Sequence, residues 1–297
     1  MTDVIIIGGG PAGLSAAIYA KRAGLSVQII DKGAAECQLA KAAEVENYLG
    51  FKSINGAELH SAFVEHVKHA NIPIVKKSAV SLTKSENGFT VRTKKDEFQA
   101  KHVILAMGRS HKHLNIEGED RFIGAGMSYC ATCDGFFFKD REVCVIGGGD
   151  SALSQALYLS GICSKVNLVH RRKEFRAASY LVERAKATPN IDFVLDAVPT
   201  KIMGEQFCEA LEVEFRDGTR RTIPSSGVFG AIGEKANLSF SIEGLKTTEQ
   251  GQIITDNLCR TSIENLYAVG DIREREVYQV VTAVADGPLV LEAILKA

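Results

Sequence analysis

The chain alternates short apolar runs with glycine-rich turns. Residues 4–7 are Val-Ile-Ile-Ile and run straight into Gly8-Gly9-Gly10, which predicts a buried strand ending at a tight turn. Over residues 12–23, Leu14, Ala17 and Ile18 form an apolar helical face, and Gly24 closes the segment. Residues 26–30 predict a second strand, ending at Asp31. The same order returns later: a strand at 141–146, glycines at 147–149, a helix at 152–160 and a strand at 166–169. Residues 57–70 predict an amphipathic helix. Residues 74–105 alternate around an Asn87-Gly88 turn and 191–224 around Asp217-Gly218, which predicts antiparallel strands. Apolar runs ending in glycine recur at 102–108, 227–233 and 266–270, as suits strands whose C-terminal ends approach a cofactor. Residues 279–295 predict a closing helix, with Gly287-Pro288 a kink or local break.

The two glycine turns give this pattern its chemistry. Gly8, Gly10 and Gly13, with Pro11 and Ala12 between them, form GxGxxG in a strand–helix–strand context, and Asp31 ends the second strand. Such glycines let the backbone approach a pyrophosphate at a helix N-terminus. The second turn, Gly147-Gly148-Gly149-Asp150-Ser151-Ala152, is a GxGxxA form. Superposing Gly147 on Gly8 places His170 on Asp31, and His170-Arg171-Arg172 is followed by Arg176. An acid suits a free ribose 2′-hydroxyl, whereas arginine suits a 2′-phosphate. The first turn therefore fits FAD or NAD and the second NADPH. The predicted class is α/β, with two Rossmann-like three-layer domains and the second inserted in the first. The expected boundaries are 1–112 with 242–297 for the FAD-binding domain, and 113–241 for the NADPH-binding domain carrying a CxxC pair.

Composition narrows the classes. The 297 residues are 45% hydrophobic and 24% charged with net charge −1, an ordinary globular balance that gives no reason to invoke nucleic acid or a charged membrane. No run reaches the length of a membrane span. The early start of the first strand reads as structure and not as a secretory signal, so a cytoplasmic protein is expected. Of seven cysteines only Cys130 and Cys133 are close, in Cys130-Ala131-Thr132-Cys133-Asp134. A second close pair, which a structural zinc site needs, is missing, so no metal is expected. A dithiol near a dinucleotide loop suggests hydride entering and electrons leaving through sulfur. Asp134 is the candidate acid–base, with helix capping as its alternative. Cys37 reads as a small apolar filler before a third redox thiol, and Cys144 as core.

Taken together, the run 130–137 (Cys-Ala-Thr-Cys-Asp-Gly-Phe-Phe), both glycine loops, the run 170–177 and Tyr267-Ala268-Val269-Gly270-Asp271 resemble low-molecular-weight, bacterial-type thioredoxin reductase, in order over nearly the whole chain. The resemblance implies an FAD-containing homodimer that uses NADPH to reduce thioredoxin through Cys130 and Cys133. Cys133 would lie nearer the flavin and Cys130 would attack the partner. It implies that Asp271 binds the FAD ribityl chain, that Gln38, Asn47 and Gln279 lie near the flavin, and that Gly108 and Gly270 approach the cofactor. It also implies a rotating nucleotide domain, with hinges near 112–117 and 239–244. The chain departs from the family's usual pattern at Glu36-Cys37, Met107, Glu234-Lys235-Ala236 and Tyr278. The alternatives are a reductase of a glutaredoxin-like or peroxiredoxin-linked partner, or a slow-turnover flavin redox sensor. The early first strand sets it apart from the related alkyl hydroperoxide reductase flavoprotein, whose additional N-terminal domains it is expected to lack.

Overall fold

The first apolar run forms β1 (Thr2–Ile7), whose Val4, Ile5, Ile6 and Ile7 are all buried. In the computed structural model, which describes residues 1–33, 37–42 and 44–297, the chain divides into two units. One is Met1–Ser110 with Glu234–Ala297, and the other is His111–Gly233. Glu36 lies outside the described residues.

After β1 the first unit continues through α1 (Pro11–Arg22), β2 (Val27–Asp31), α2 (Gln38–Lys41) and α3 (Gly56–His69). Then come β3 (Ile74–Lys76), β4 (Ser81–Ser85), β5 (Gly88–Arg92) and β6 (Glu97–Leu105), and β7 (Arg109–His111) leads out of it. The second unit holds α4 (Glu119–Phe122), β8 (Met127–Ser128), α5 (Ala131–Asp134), β9 (Glu142–Ile146), α6 (Asp150–Ser160) and β10 (Lys165–His170). It continues with α7 (Ser179–Lys186), β11 (Ile191–Leu195), β12 (Ala197–Met203), β13 (Ala210–Phe215), β14 (Arg220–Pro224) and β15 (Gly227–Gly230). The chain returns through β16 (Glu234–Ala236), β17 (Leu266–Ala268) and α8 (Val280–Leu295).

The first unit's sheet runs β3-β2-β1-β6-β5-β4, with β17 also on β6. β6 lies parallel to β1 along one edge and is long enough to serve two further partners along the other. Its first half pairs antiparallel with β5 and its second half parallel with β17. β3 lies parallel to β2, so the antiparallel meander expected from residue 74 begins only at β4. The register sets Ile7 beside Ile30 and Leu105, and Leu105 beside Ala268, so four strands end level.

The second unit repeats this with the parallel order β11-β10-β9-β15-β8 and adds a separate antiparallel sheet, β12-β13-β14. Each unit has apolar layers on both sides of its parallel sheet, which is why these strands read as continuous apolar runs.

The closing helix is continuous across Pro288. Proline has no N–H to donate to the carbonyl four residues back, here Val284. Ser15 Oγ on α1 donates to that carbonyl instead, at 2.7 Å. The approach depends on Gly287, where a Cβ would stand 2.2 Å from the same Oγ. The expected break is thus bridged by a neighbouring helix.

Candidate functional site

In the first unit the level strand ends carry the predicted cofactor residues. Gly8 has φ +116°, and a Cβ there would stand 2.3 Å from the Ala106 carbonyl oxygen, so the turn admits only glycine. Gly13 is similarly confined by the Gly8 carbonyl, at 2.1 Å. A Cβ at Gly10 would meet nothing within 4 Å among the described residues, so this backbone is open where α1 begins with Pro11 and Ala12. A helix N-terminus beside bare backbone suits a pyrophosphate. Asp31 accepts from Gly9 N at 2.8 Å and from Gly33 N at 2.7 Å. A carboxylate has about four acceptor positions, so capacity for ribose hydroxyls remains.

Gly108 and Gly270 both take positive φ, +66° and +72°. Asp271 follows within a 3-10 turn (Gly270–Ile272). Its Oδ1 is buried without a partner among the described residues. Burial pushes its carboxyl above the usual range, against the pull of Arg109 and Arg275. A buried acceptor lacking a donor is what a polyhydroxyl chain would satisfy, so the residues present fit FAD.

Three amides frame this end of the unit. Gln38 Nε2 donates to the Arg109 carbonyl at 2.5 Å, and Asn47 Nδ2 donates to Gln279 Oε1 at 3.0 Å. Gln279 also caps α8 in a box with Thr282. Asp286 is fully buried in α8 and accepts from Gly270 N, Arg273 and Arg275, which ties the Asp271 turn to the helix. Its only sequence signal was an acid in the middle of an otherwise uncharged, mainly apolar stretch, residues 280–291. Glu234 and Tyr278, two departures from the family's usual pattern, meet at Arg109. The guanidinium pairs with Glu234 and lies 3.3 Å from the Tyr278 ring centre.

The second unit reproduces the first loop. Gly147 has φ +152°, and its Cβ would stand 2.4 Å from the Ala231 carbonyl. Gly149 is as open as Gly10, and Asp150, Ser151 and Ala152 start α6. His170 takes the position of Asp31 but turns under the loop. A Cβ on Gly148 would meet the ring at 2.1 Å, and Nε2 pairs with the Glu174 carbonyl at 3.1 Å. The imidazole is a buried support, its pKa lowered chiefly by burial. Arg171, Arg172 and Arg176 are exposed and are the groups a phosphate can reach. The basic run is tied to the loop by Arg176 N to the Gly148 carbonyl (2.9 Å) and by Ala178 N to Asp150 Oδ1 (2.7 Å).

Cys130 and Cys133 are joined in a disulfide at the start of α5. Cys133 is exposed and Cys130 half-buried. Asp134 makes no capping hydrogen bond. Its Oδ2 accepts from Ser128 Oγ at 2.5 Å, and Cys130 N donates to the same hydroxyl at 3.0 Å. Burial raises the Asp134 carboxyl and the Ser128 bond opposes this. Ser128 therefore links the acid to the backbone of the cysteine turn. The preceding Tyr129 donates to the buried Glu119, whose carboxylate also accepts from Leu114 N and Asn115 N at 2.7 Å each. Neither Ser128 nor Glu119 belongs to a recognisable motif.

A family model described as pyridine nucleotide-disulphide oxidoreductase matches residues 2–287. A thioredoxin reductase of Bacillus subtilis (strain 168) is 39% identical, over 98% of this chain and 93% of that protein. Another, from Listeria monocytogenes serovar 1/2a, is 38% identical over 97% and 91%. The crystal structure of thioredoxin reductase from Streptococcus pyogenes MGAS5005 superposes with a TM-score of 0.94 and 36% identity, over 100% of this chain and 97% of that one. Two glycine cradles on parallel sheets, an orphaned buried acid and a redox disulfide thus coincide with this likeness, and the chain belongs to the pyridine nucleotide-disulphide oxidoreductases, in their bacterial-type thioredoxin reductase branch.

Proposed function

We propose that this chain is a thioredoxin-disulfide reductase, passing electrons from NADPH through FAD to Cys130–Cys133 and on to thioredoxin. The observation that carries the reading is the Cys130–Cys133 disulfide with a half-buried carboxyl beside it, raised by desolvation. FAD would be held by Gly8, Gly10, Pro11, Ala12, Gly13, Asp31 and Asp271, and when bound supplies the two-electron chemistry linking a hydride donor to a disulfide. The second loop, with Arg171, Arg172 and Arg176, would take the phosphates of NADPH.

The chain's own chemistry is thiol–disulfide exchange. In the reduced pair the Cys130 thiolate attacks one sulfur of the partner disulfide, forming a mixed disulfide and releasing the partner's first thiolate. Cys133 then attacks the Cys130 sulfur, restoring the ring and releasing the second. Asp134, held protonated more readily than an exposed acid, gives a proton to a departing sulfur and Ser128 orients it.

Anaerobic NADPH is expected to bleach the yellow protein, with NADH far less effective. Cys130→Ser should keep that bleaching and lose thioredoxin reduction. Wild-type thioredoxin reduction by this variant would overturn the assignment. A glutaredoxin-like or peroxiredoxin-linked partner would show as turnover with that protein and none with thioredoxin. A sensor would bind FAD without turnover. The same reading makes the protein a cytoplasmic homodimer; for the dimer, Leu49, 96% exposed, and half-exposed Phe51 offer apolar surface on the first unit. Among the described residues no helix is long and apolar enough to cross a membrane.

A further inference from the structure

Arg109 follows Gly108, three residues past the end of β6, and begins β7 just beyond the level strand ends of the first unit. Its side chain is 15% exposed and that of Glu234, its ion-pair partner, 25%. The guanidinium is stacked on Tyr278, whose hydroxyl accepts from Gln252 Nε2 at 2.5 Å and from Arg275 N at 3.3 Å. Its own carbonyl is held by Gln38. The cation is therefore held by an ion pair and a stack while its backbone is anchored by Gln38, and it cannot swing to solvent without breaking both of the former. Its field reaches the orphaned Asp271 carboxyl, where it is the foremost charge lowering that group. Arg275, Glu234 and Asp286 also act there. A partly desolvated cation keeps much of its field, because little water screens it.

We infer that Arg109 is a positioning and tuning residue for the flavin, with Glu234 as its counterweight and Tyr278 as its rest. This rests on the reading that Asp271 and its neighbours hold FAD. Hydride addition to a neutral oxidised flavin ring produces an anion. A fixed cation beside the site favours that reduced form and a fixed anion opposes it. The pair thus sets how readily the flavin accepts electrons from its donor and yields them to sulfur.

The test is dye equilibration of holoenzyme in a Cys130→Ser, Cys133→Ser background, where the flavin is the two-electron acceptor observed. At fixed potential, Arg109→Gln should lower the reduced-to-oxidised ratio about tenfold, the scale of one neighbouring charge. Glu234→Gln should raise it. Tyr278→Leu, which unseats the guanidinium, should move it in the direction of Arg109→Gln by less. A merely structural role would move all three alike, or change FAD content and not the ratio, and either result overturns the inference. So does an unchanged ratio in both charge variants. If Arg109→Gln loses FAD, the sign of the Glu234→Gln shift decides. A wild-type protein that binds no FAD overturns the FAD reading itself, whereas bound FAD with no shift overturns only the tuning role.

Discussion

Asp134 is raised by burial and steadied by a serine hydroxyl. A carboxyl whose pKa is higher folded than unfolded holds its proton more tightly in the folded state. Its charging opposes folding as pH rises from the ordinary carboxylate range through the raised value. Asp134→Asn keeps an acceptor for Ser128 and removes the charge. It should raise the melting temperature at about pH 8 and leave it nearly unchanged at about pH 4, while thioredoxin reduction falls at neutral pH. Equal shifts at both pH values would show that burial of charge is not the cause. Adjacency to Cys133 made this acid legible in sequence, and Ser128 was not, because its bond arises from the turn between β8 and α5. Cys37 shows the same limit. It packs against Leu39, Val45 and Leu59 as a filler would, yet it also acts on His60, whose pKa it helps raise. The His60 Nε2 meets the Gly9 carbonyl at 2.9 Å. No spacing rule connects residues 37, 60 and 9.

At the scale of elements, the glycine loops and their strands were legible because steric demand and sequence coincide. Gly8 and Gly147 each face a carbonyl at about van der Waals overlap, which no other residue could accept. The overlay of the loops correctly set His170 on Asp31, but a shared position did not mean a shared task. The carboxylate binds loop amides, while the bulkier ring props the loop from below. Pro288 misled for a related reason. Proline predicts a broken helix when its orphaned carbonyl has no other donor, and the donor here lies 269 residues away in sequence. Ser15→Ala should therefore cost about 1 kcal/mol, and more where the carbonyl is shielded from water. A melting temperature lowered by a few degrees would be the measure. Ser15→Thr, which keeps the hydroxyl, should recover part of the loss.

For the whole molecule, the nested order was readable from the return of an apolar run ending in Gly270-Asp271 after the second nucleotide motif. The observed units meet at 110–111 and 233–234. Residues 112 and 233 are joined by a backbone bond, Lys112 N to the Gly233 carbonyl at 3.0 Å. The second unit has its own buried clusters around Val145 and Val228. Expressed as residues 111–233, it should fold alone with cooperative unfolding, bind an immobilised 2′-phosphorylated nucleotide, and take up no FAD. Failure to fold would mean that its core is incomplete without the first unit. Composition could not have supplied this, since the crossing points depend on which strand each segment joins.

The proline in α8 also divides that helix as a record of motion. Residue 288 has no amide proton, so the backbone exchange signal of α8 is interrupted there. The two halves can be timed separately. Because Ser15 holds the carbonyl that this gap exposes, slow exchange on the N-terminal side would report the grip of α1, whereas the last turns would report the fraying of the chain's own end.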